Sequence, residues 1–445
     1  MNMSLVLRRV SGVMAALGIA AAGLIALNLR GEDPLPANET LQSTPALVAQ
    51  GEYLARVGNC MACHTGQGGA PFAGGRGIET PFGLVYSPNL TPDKATGLGA
   101  WTSAEFWRAM HNGRSKDGRL LYPAFPYNSY THVTRADSDA IFAYLQSLPP
   151  VAQANQPHVL RFPYSTQAAL GVWRALFFSP ADPAAPASAP PPQALAAAQV
   201  PAYQRGAYLV NGLGHCAACH TPRNSLGAEQ QGQALAGGLI PVQNWLAPAL
   251  TDPAQAGVQR WPQADVVALL KTGVAPQASV IGPMAEVVYR STQYLSDADA
   301  QAMAVYLQAL PPHASKPATS SAPVALSSTA MQRGAKVYEA QCAQCHGNQG
   351  QGRTDAAGQP AFPPLAGNRA VVLADPTNLV RVVLQGGYLP ATAGNPRPHG
   401  MPPFQHLLGD EDVAAVATFV RNSWGNQAPA VGTIEVYRAR ERRGL

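Results

Sequence analysis

The pattern Cys-x-x-Cys-His occurs three times in a chain that has only six cysteines. It reads Cys60-Met-Ala-Cys63-His64, Cys216-Ala-Ala-Cys219-His220 and Cys342-Ala-Gln-Cys345-His346, so no cysteine is left for a disulfide or another metal. This spacing is that of a c-type haem attachment. The two thiols add to the haem vinyl groups as thioethers, and the following His binds the iron from the proximal side. A four-cysteine zinc site would need two Cys pairs in one domain, and these pairs lie well over a hundred residues apart. A redox dithiol requires no His and gives no reason for triplication. The expectation is three covalently bound haem c groups, with His64, His220 and His346 as axial ligands.

A length of 445 residues accommodates about three domains of roughly 100–150 residues. With 12% charged residues, 42 Gly and 41 Pro, they should be loop-rich with short helices. The net charge of +5 is modest, and no basic block is long enough to suggest nucleic acid as a partner. The nearest cluster, Arg438-Ala-Arg-Glu-Arg-Arg443, reads as a solvated tail, with contact to anionic lipid as the alternative. At the other end, Arg8-Arg9 precede an almost uncharged run from Val10 to Leu29. About 20 such residues are just enough to span a bilayer core. A cleaved signal has a shorter apolar region and a small-x-small site, which Asn28-Leu-Arg-Gly-Glu32 does not offer. An uncleaved anchor is the preferred reading. By the positive-inside rule, either alternative leaves the haem domains outside the cytoplasm, facing the periplasm if the cell is a bacterium.

Around each Cys-x-x-Cys-His one order of elements recurs. A Gly and an aromatic precede it: Gly51 with Tyr53, Gly206 with Tyr208, Gly334 with Tyr338. A Pro-containing loop follows: Ser87-Pro-Asn-Leu-Thr91, Ala247-Pro-Ala-Leu-Thr251 and Phe362-Pro-Pro-Leu-Ala366. Next comes a helix-like apolar pattern ending at Gly113, Gly273 or Gly386. A closing helix then opens near Asp137, Ser296 or Asp410, with Pro149-Pro150 and Pro311-Pro312 stopping the first two. Such self-similarity means homologous modules, and each module resembles the class I cytochrome c fold. In that arrangement the Gly lets an aromatic of the last helix approach the first helix's backbone, so that Gly51 meets the Tyr144 region. The expected architecture is mainly α: three tandem class I cytochrome c-like domains with an N-terminal membrane helix. The spans are 1–45 (anchor or signal, and linker), 46–150, a linker over 151–203, 204–312, a second linker over 313–330, 331–427, and a tail over 428–445. The first linker holds an apolar patch, Leu170-Gly-Val-Trp-Arg-Ala-Leu-Phe-Phe178, too short to span a bilayer. It has three readings: dipping into a membrane, packing on a partner, or covering domain 1.

Met commonly completes the coordination of a His-bound haem iron in electron-transfer cytochromes c and raises the potential. Met284, in Ile281-Gly-Pro-Met284, and Met401, in His399-Gly-Met-Pro-Pro403, fall in Gly/Pro-rich loops before the closing helix of modules 2 and 3. Both are assigned as sixth ligands, against the blander reading of a buried Met as core filler. In module 1 the equivalent slot holds Phe125, which cannot ligate iron. Haem 1 is therefore five-coordinate or bound by His132, with Met110 as a third option. His215 and Trp245 are each open to two readings, a haem propionate contact or an ordinary surface or core role.

The chain resembles the trihaem cytochrome c subunits of bacterial membrane-bound dehydrogenases over roughly residues 46–427. The resemblance rests on Leu121-Tyr-Pro-Ala-Phe-Pro-Tyr127, Gly214-His-Cys-Ala-Ala-Cys-His-Thr-Pro-Arg-Asn224, Gly282-Pro-Met-Ala-Glu-Val-Val288, Ser291-Thr-Gln-Tyr-Leu295, Asn395-Pro-Arg-Pro-His-Gly-Met-Pro-Pro-Phe404 and Asn422-Ser-Trp-Gly-Asn426. It implies a partner dehydrogenase subunit of quinoprotein, flavoprotein or molybdenum type, with ubiquinone or a terminal oxidase as acceptor at the bacterial inner membrane. That family often has Met where this chain has Phe125, so its ligand set does not carry over to haem 1. No nicotinamide fingerprint is present, since Gly74-Gly-Arg-Gly77 lacks the strand–helix context. An electron-transfer subunit is expected, with the substrate chemistry on another chain. A free-standing anchored shuttle and an enzyme acting through an open haem 1 are the alternatives.

Overall fold

The computed structural model describes residues 3–32, 34–36, 41–182, 190–313, 328–355, 358 and 360–441. It divides into two compact units: Met1–Ala55, Cys60–Ala187 and Asn211–His215 form the first, and Arg56–Asn59, Ser188–Val210 and Cys216–Leu445 the second.

In the first unit, helix α1 covers Met3–Leu29 and α2 covers Pro45–Val57. Strands β1 (Gly77–Thr80) and β2 (Gly83–Tyr86) form a tight antiparallel hairpin with Ile78 opposite Val85. Helix α3 (Ser103–Asn112) opens on a capping box, in which Thr102 Oγ1 accepts the Glu105 N–H and the Glu105 carboxylate accepts the Thr102 N–H. It stops where expected, at Gly113 in the left-handed region (φ 59°), a conformation that costs glycine little. The closing helix α4 spans Arg135–Ser147. Its cap is Thr134, whose hydroxyl accepts the Asp137 N–H, so the helix begins ahead of the Asp-Ser-Asp run taken as its opening. A short β3 (Val159–Leu160) then returns to pair with β2.

The apolar patch of the first linker forms helix α5 (Gln167–Phe177), with Leu170 and Arg174 buried and Val172 and Leu176 exposed. Arg174 Nε donates to Asn28 Oδ1 (3.1 Å), Asn28 Nδ2 donates to Gly171 O (2.9 Å), and an Arg174 guanidinium N–H reaches Gly113 O. The patch thus covers domain 1 and holds the end of α1, the third of its three readings. Among the described residues no helix is long and apolar enough to cross a membrane. The expected membrane-spanning segment is therefore met only as a helix.

The second unit begins with α6 (Val200–Ala207), the hairpin β4 (Gly238–Ile240) and β5 (Trp245–Ala247), then α7 (Gln263–Thr272), α8 (Pro283–Arg290) and α9 (Asp297–Ala309). Gly273 ends α7 at φ 77°, and Ser296 caps α9 by accepting the Asp299 N–H. The third repeat has α10 (Thr329–Gln341), α11 (Thr377–Gln385), the two-residue strands β6 (Gly387–Tyr388) and β7 (Gly400–Met401), and the closing helix α12 (Asp410–Arg421). Residues 314–327, most of the second linker, lie outside the described residues.

First and last helices of each repeat meet backbone to backbone. A Cβ added at Gly51, Gly206 or Gly334 would lie 1.8, 2.0 or 2.2 Å from the carbonyl oxygen of Ala140, Ala302 or Ala415. It would also press on the Cβ of Tyr144, Tyr306 or Phe419. Only glycine permits this approach, as the sequence pattern implied.

Up to Glu441 the C-terminal stretch is not a solvated tail; Arg442 and Arg443 lie outside the described residues. Thr433–Glu441 form α13, and Val431, Val436 and Ala439 are buried in one cluster with Val380, Leu384, Phe404 and Val413. Arg440 pairs with Asp410 and donates to the carbonyls of Gln405 and Leu408. Its stem and head thus close the end of the third repeat, because the apolar positions 431, 436 and 439 need a core to cover them.

Candidate haem centres

Each Cys-x-x-Cys forms a single helical turn that ends at or next to its histidine. The three imidazoles make one and the same contact. Nδ1 of His64 lies 2.9 Å from the carbonyl oxygen of Pro88, that of His220 lies 2.7 Å from Pro248, and that of His346 lies 3.0 Å from Pro363. A carbonyl only accepts, so Nδ1 carries the proton and Nε2 presents a bare lone pair. Such a contact on the far nitrogen fixes tautomer and ring orientation in metal-binding histidines. Burial pulls all three imidazoles below the ordinary value, against a smaller opposing effect of the proline carbonyls. The neutral, ligating form is the one favoured.

None of the six cysteines is in a disulfide. Burial, followed by the neighbouring cysteine, pushes Cys60 and Cys216 to about 12 and Cys342 to about 11. These surroundings disfavour charge, as a pocket for an apolar macrocycle should. The donor set fits covalent haem: two thiols and an oriented imidazole, three times over.

At the residues assigned to the sixth position the repeats differ. Met284 sits in the first turn of α8, directly after Gly282 (φ 55°) and Pro283. Met401 lies on β7, paired with Gly387, and packs against the Val380–Leu384–Phe404 cluster. Gly386 ends α11 and lets the backbone of Met401 pass, since a Cβ there would stand 2.3 Å from the Met401 oxygen. In the first unit the Phe125 and Tyr130 rings pack at a tilt of 55° with centroids 5.2 Å apart, and Tyr130 meets the His215 ring edge-on at 5.6 Å. His132 is half-buried, its N–H donating to Ser129 O, and its Cβ faces Gly212. Met110 is buried in α3. Trp245, on β5, presses its ring on Gly282 and carries the Arg381 guanidinium on its other contact at 4.7 Å.

Several supporting residues escaped sequence reasoning. Asn89, 2% exposed, pins the loop whose Pro88 carbonyl holds His64. Its Nδ2 donates to Val151 O (2.8 Å) and Thr96 Oγ1 (3.1 Å), and its Oδ1 accepts from the N–H and hydroxyl of Thr91 (2.9 and 2.7 Å). In the third repeat Asn368 Nδ2 donates to Pro364 O and Asn426 Nδ2 to Leu365 O, fixing the corresponding loop. Arg76 and Arg223 donate to Ala62 O and Ala218 O, carbonyls between the paired cysteines. Tyr130 is buried, and burial, then Cys60 and Cys63, pushes its phenol well above the usual range. The signal for the asparagines was present in the Pro-Asn and Gly-Asn steps, but their partners lie some 60 residues away in sequence.

The cytochrome c family matches residues 48–149, 203–311 and 331–424. The chain is 40% identical over 416 residues to the cytochrome c subunit of a quinone alcohol dehydrogenase from Gluconacetobacter polyoxogenes, covering 90% of this chain and 86% of that protein. It is 39% identical over 407 residues to the gluconate 2-dehydrogenase cytochrome c subunit of Pantoea cypripedii, covering 88% and 89%. It is 34% identical over 443 residues to the fructose dehydrogenase cytochrome subunit of Gluconobacter japonicus, covering 94% and 87%. Three Cys-x-x-Cys-His turns, three proline-held imidazoles and three glycine-mediated helix crossings coincide with the matched segments, and the chain belongs to the cytochrome c family as three tandem cytochrome c domains.

Proposed function

We propose that the chain is a trihaem relay that takes electrons from a partner dehydrogenase subunit and passes them to ubiquinone or a terminal oxidase at the periplasmic face of the bacterial inner membrane. The observation that carries this is the threefold recurrence of an imidazole with Nδ1 committed and Nε2 presented. Haem bound at such sites supplies reversible one-electron chemistry, tuned by axial ligand and burial. The chain's own residues orient the proximal ligand, keep its surroundings apolar and supply Met284 and Met401 as sixth ligands to haems 2 and 3. Haem 1, with Phe125 in that slot, is five-coordinate or takes His132, with Met110 third; its potential then lies below those of the Met-bound pair.

The relatives named above are subunits of alcohol, gluconate and fructose dehydrogenases, which supports a partner of quinoprotein, flavoprotein or molybdenum type that carries the substrate chemistry. Anchoring through α1 is supported by the uncharged run from Val10 to Leu29 and by the exposure of Ile19, Ile25, Leu27 and Leu29. The test is purification from mildly solubilised native membranes. A co-purifying large subunit at fixed stoichiometry, carrying a redox cofactor, is expected. Isolation of the cytochrome alone would overturn the relay reading in favour of a free shuttle. Phe125, which cannot ligate iron and packs its ring against Tyr130, favours one further reading, an open haem 1 that binds small ligands. Rapid carbon monoxide binding by one haem in three would support it.

A further inference from the structure

Arg381 is a buried arginine that no carboxylate among the described residues neutralises. It lies on α11 of the third repeat and is 5% exposed. Its Nη atoms reach only Asn244 O at 3.4 Å and Gln385 Oε1 at 3.3 Å, both at the long end of hydrogen bonding, and Nε has no partner. No carboxylate among the described residues forms an ion pair with it. Arg421, equally buried, is a contrast: it donates to the carbonyls of Val371 (2.9 Å), Leu373 (2.7 Å), Pro429 and Ala374. A buried, poorly satisfied guanidinium is costly, and its position is no accident of loose packing. One turn earlier, Asn378 locks α11 to β5 from both sides, accepting the Leu246 N–H (2.9 Å) and donating to Leu246 O (2.8 Å).

What the cation faces is Trp245 of the second repeat. The guanidinium lies over the Trp245 ring at 4.7 Å, and the same ring packs against Gly282 so closely that a Cβ there would come within 2.8 Å of it. Pro283 and Met284 follow directly. We propose that Arg381, contributed by the third domain, is a potential-setting residue for the haem of the second domain. A fixed positive charge that no protein carboxylate among the described residues neutralises, held off bulk water, favours the iron state carrying less positive charge. It therefore raises the reduction potential of that haem. Trp245 acts as the shelf that holds the charge beside the Met284 loop. This inference rests on haem occupancy and on Met284 as a ligand, as proposed above.

The test is spectroelectrochemical titration of the purified full chain, with haem content measured in each sample. Arg381→Gln should lower one of three midpoints by about 59 mV, a tenfold change in the oxidised-to-reduced ratio at fixed potential for a one-electron couple. Arg381→Lys should retain the native value. Gln385→Glu leaves the arginine in place but sets an exposed carboxylate beside it, and should lower the same midpoint, which covers the case that Arg381→Gln fails to fold. The component that moves must be the one that Met284→Ala also moves. Three unchanged midpoints with full haem content, or an equal fall in all three, would overturn the inference. Fewer than three haems per native chain would instead overturn the trihaem reading beneath it.

Discussion

At the residue scale, the proximal side depends on a carbonyl that no side-chain motif encodes. Pro88, Pro248 and Pro363 each offer an oxygen to a histidine 17 to 28 residues upstream. A backbone acceptor can be placed only if its loop is rigid, which is the role of Asn89. Its side-chain amide makes five hydrogen bonds at a buried position, and the Asn89 N–H adds a sixth, to Asn155 Oδ1 (2.7 Å). Asn89→Ala would strand these partners and cost about 1–3 kcal/mol. Chemical denaturation should show that loss in the first domain. The proximal His64 should then exchange its iron bond for exogenous imidazole more readily than His220 does, and equal exchange at both sites would count against the loop's role.

At the scale of the element, the helix crossing is the device that repeats. A glycine at the crossing brings two helix backbones together where any Cβ would collide with a main-chain oxygen, and backbone cannot swing aside as a long side chain does. Gly206→Ala should therefore destabilise the second domain by about 1–3 kcal/mol, in the range of overpacked cores, with a matching fall in thermal midpoint. Gly394, exposed, outside any helix and with nothing within 4 Å of an added Cβ, serves as the control. Gly394→Ala should change stability by less than about 0.5 kcal/mol. The positions of these glycines, and the helix stops at Gly113, Gly273 and Gly386, were legible from spacing alone. The cap of α4 was not: Thr134, not the acidic run after it, satisfies the first turn, because Ser, Thr and Asp compete for that place and local pattern does not rank them.

At the scale of the whole molecule, the last 15 or so described residues close the third domain. Ending the chain after Gln427 would strip Val431, Val436 and Ala439 from the cluster around Val380 and Val413 and remove the Arg440–Asp410 pair. Burying two valines and an alanine is worth at least about 3 kcal/mol. The shortened protein should show earlier denaturation and faster proteolysis of the third domain, while the haem bands of the first domain stay unchanged. A truncated chain of native stability would mean that α13 is a passenger.

By itself the sequence determined the chemistry and the repeat. Cys-x-x-Cys-His is a local motif, glycine and proline act on their own backbone, and both survive reading one residue at a time. The tertiary structure decided everything that depends on who lies beside whom across long separations. It chose the carbonyl for each imidazole, packed Val431, Val436 and Ala439 into the third domain's core, laid α5 over domain 1 and placed Arg381 of one repeat over Trp245 of another. Spacing along the chain carries no record of those pairings, because a side chain's charge, burial and partner are set by whatever surface arrives opposite it when the chain closes.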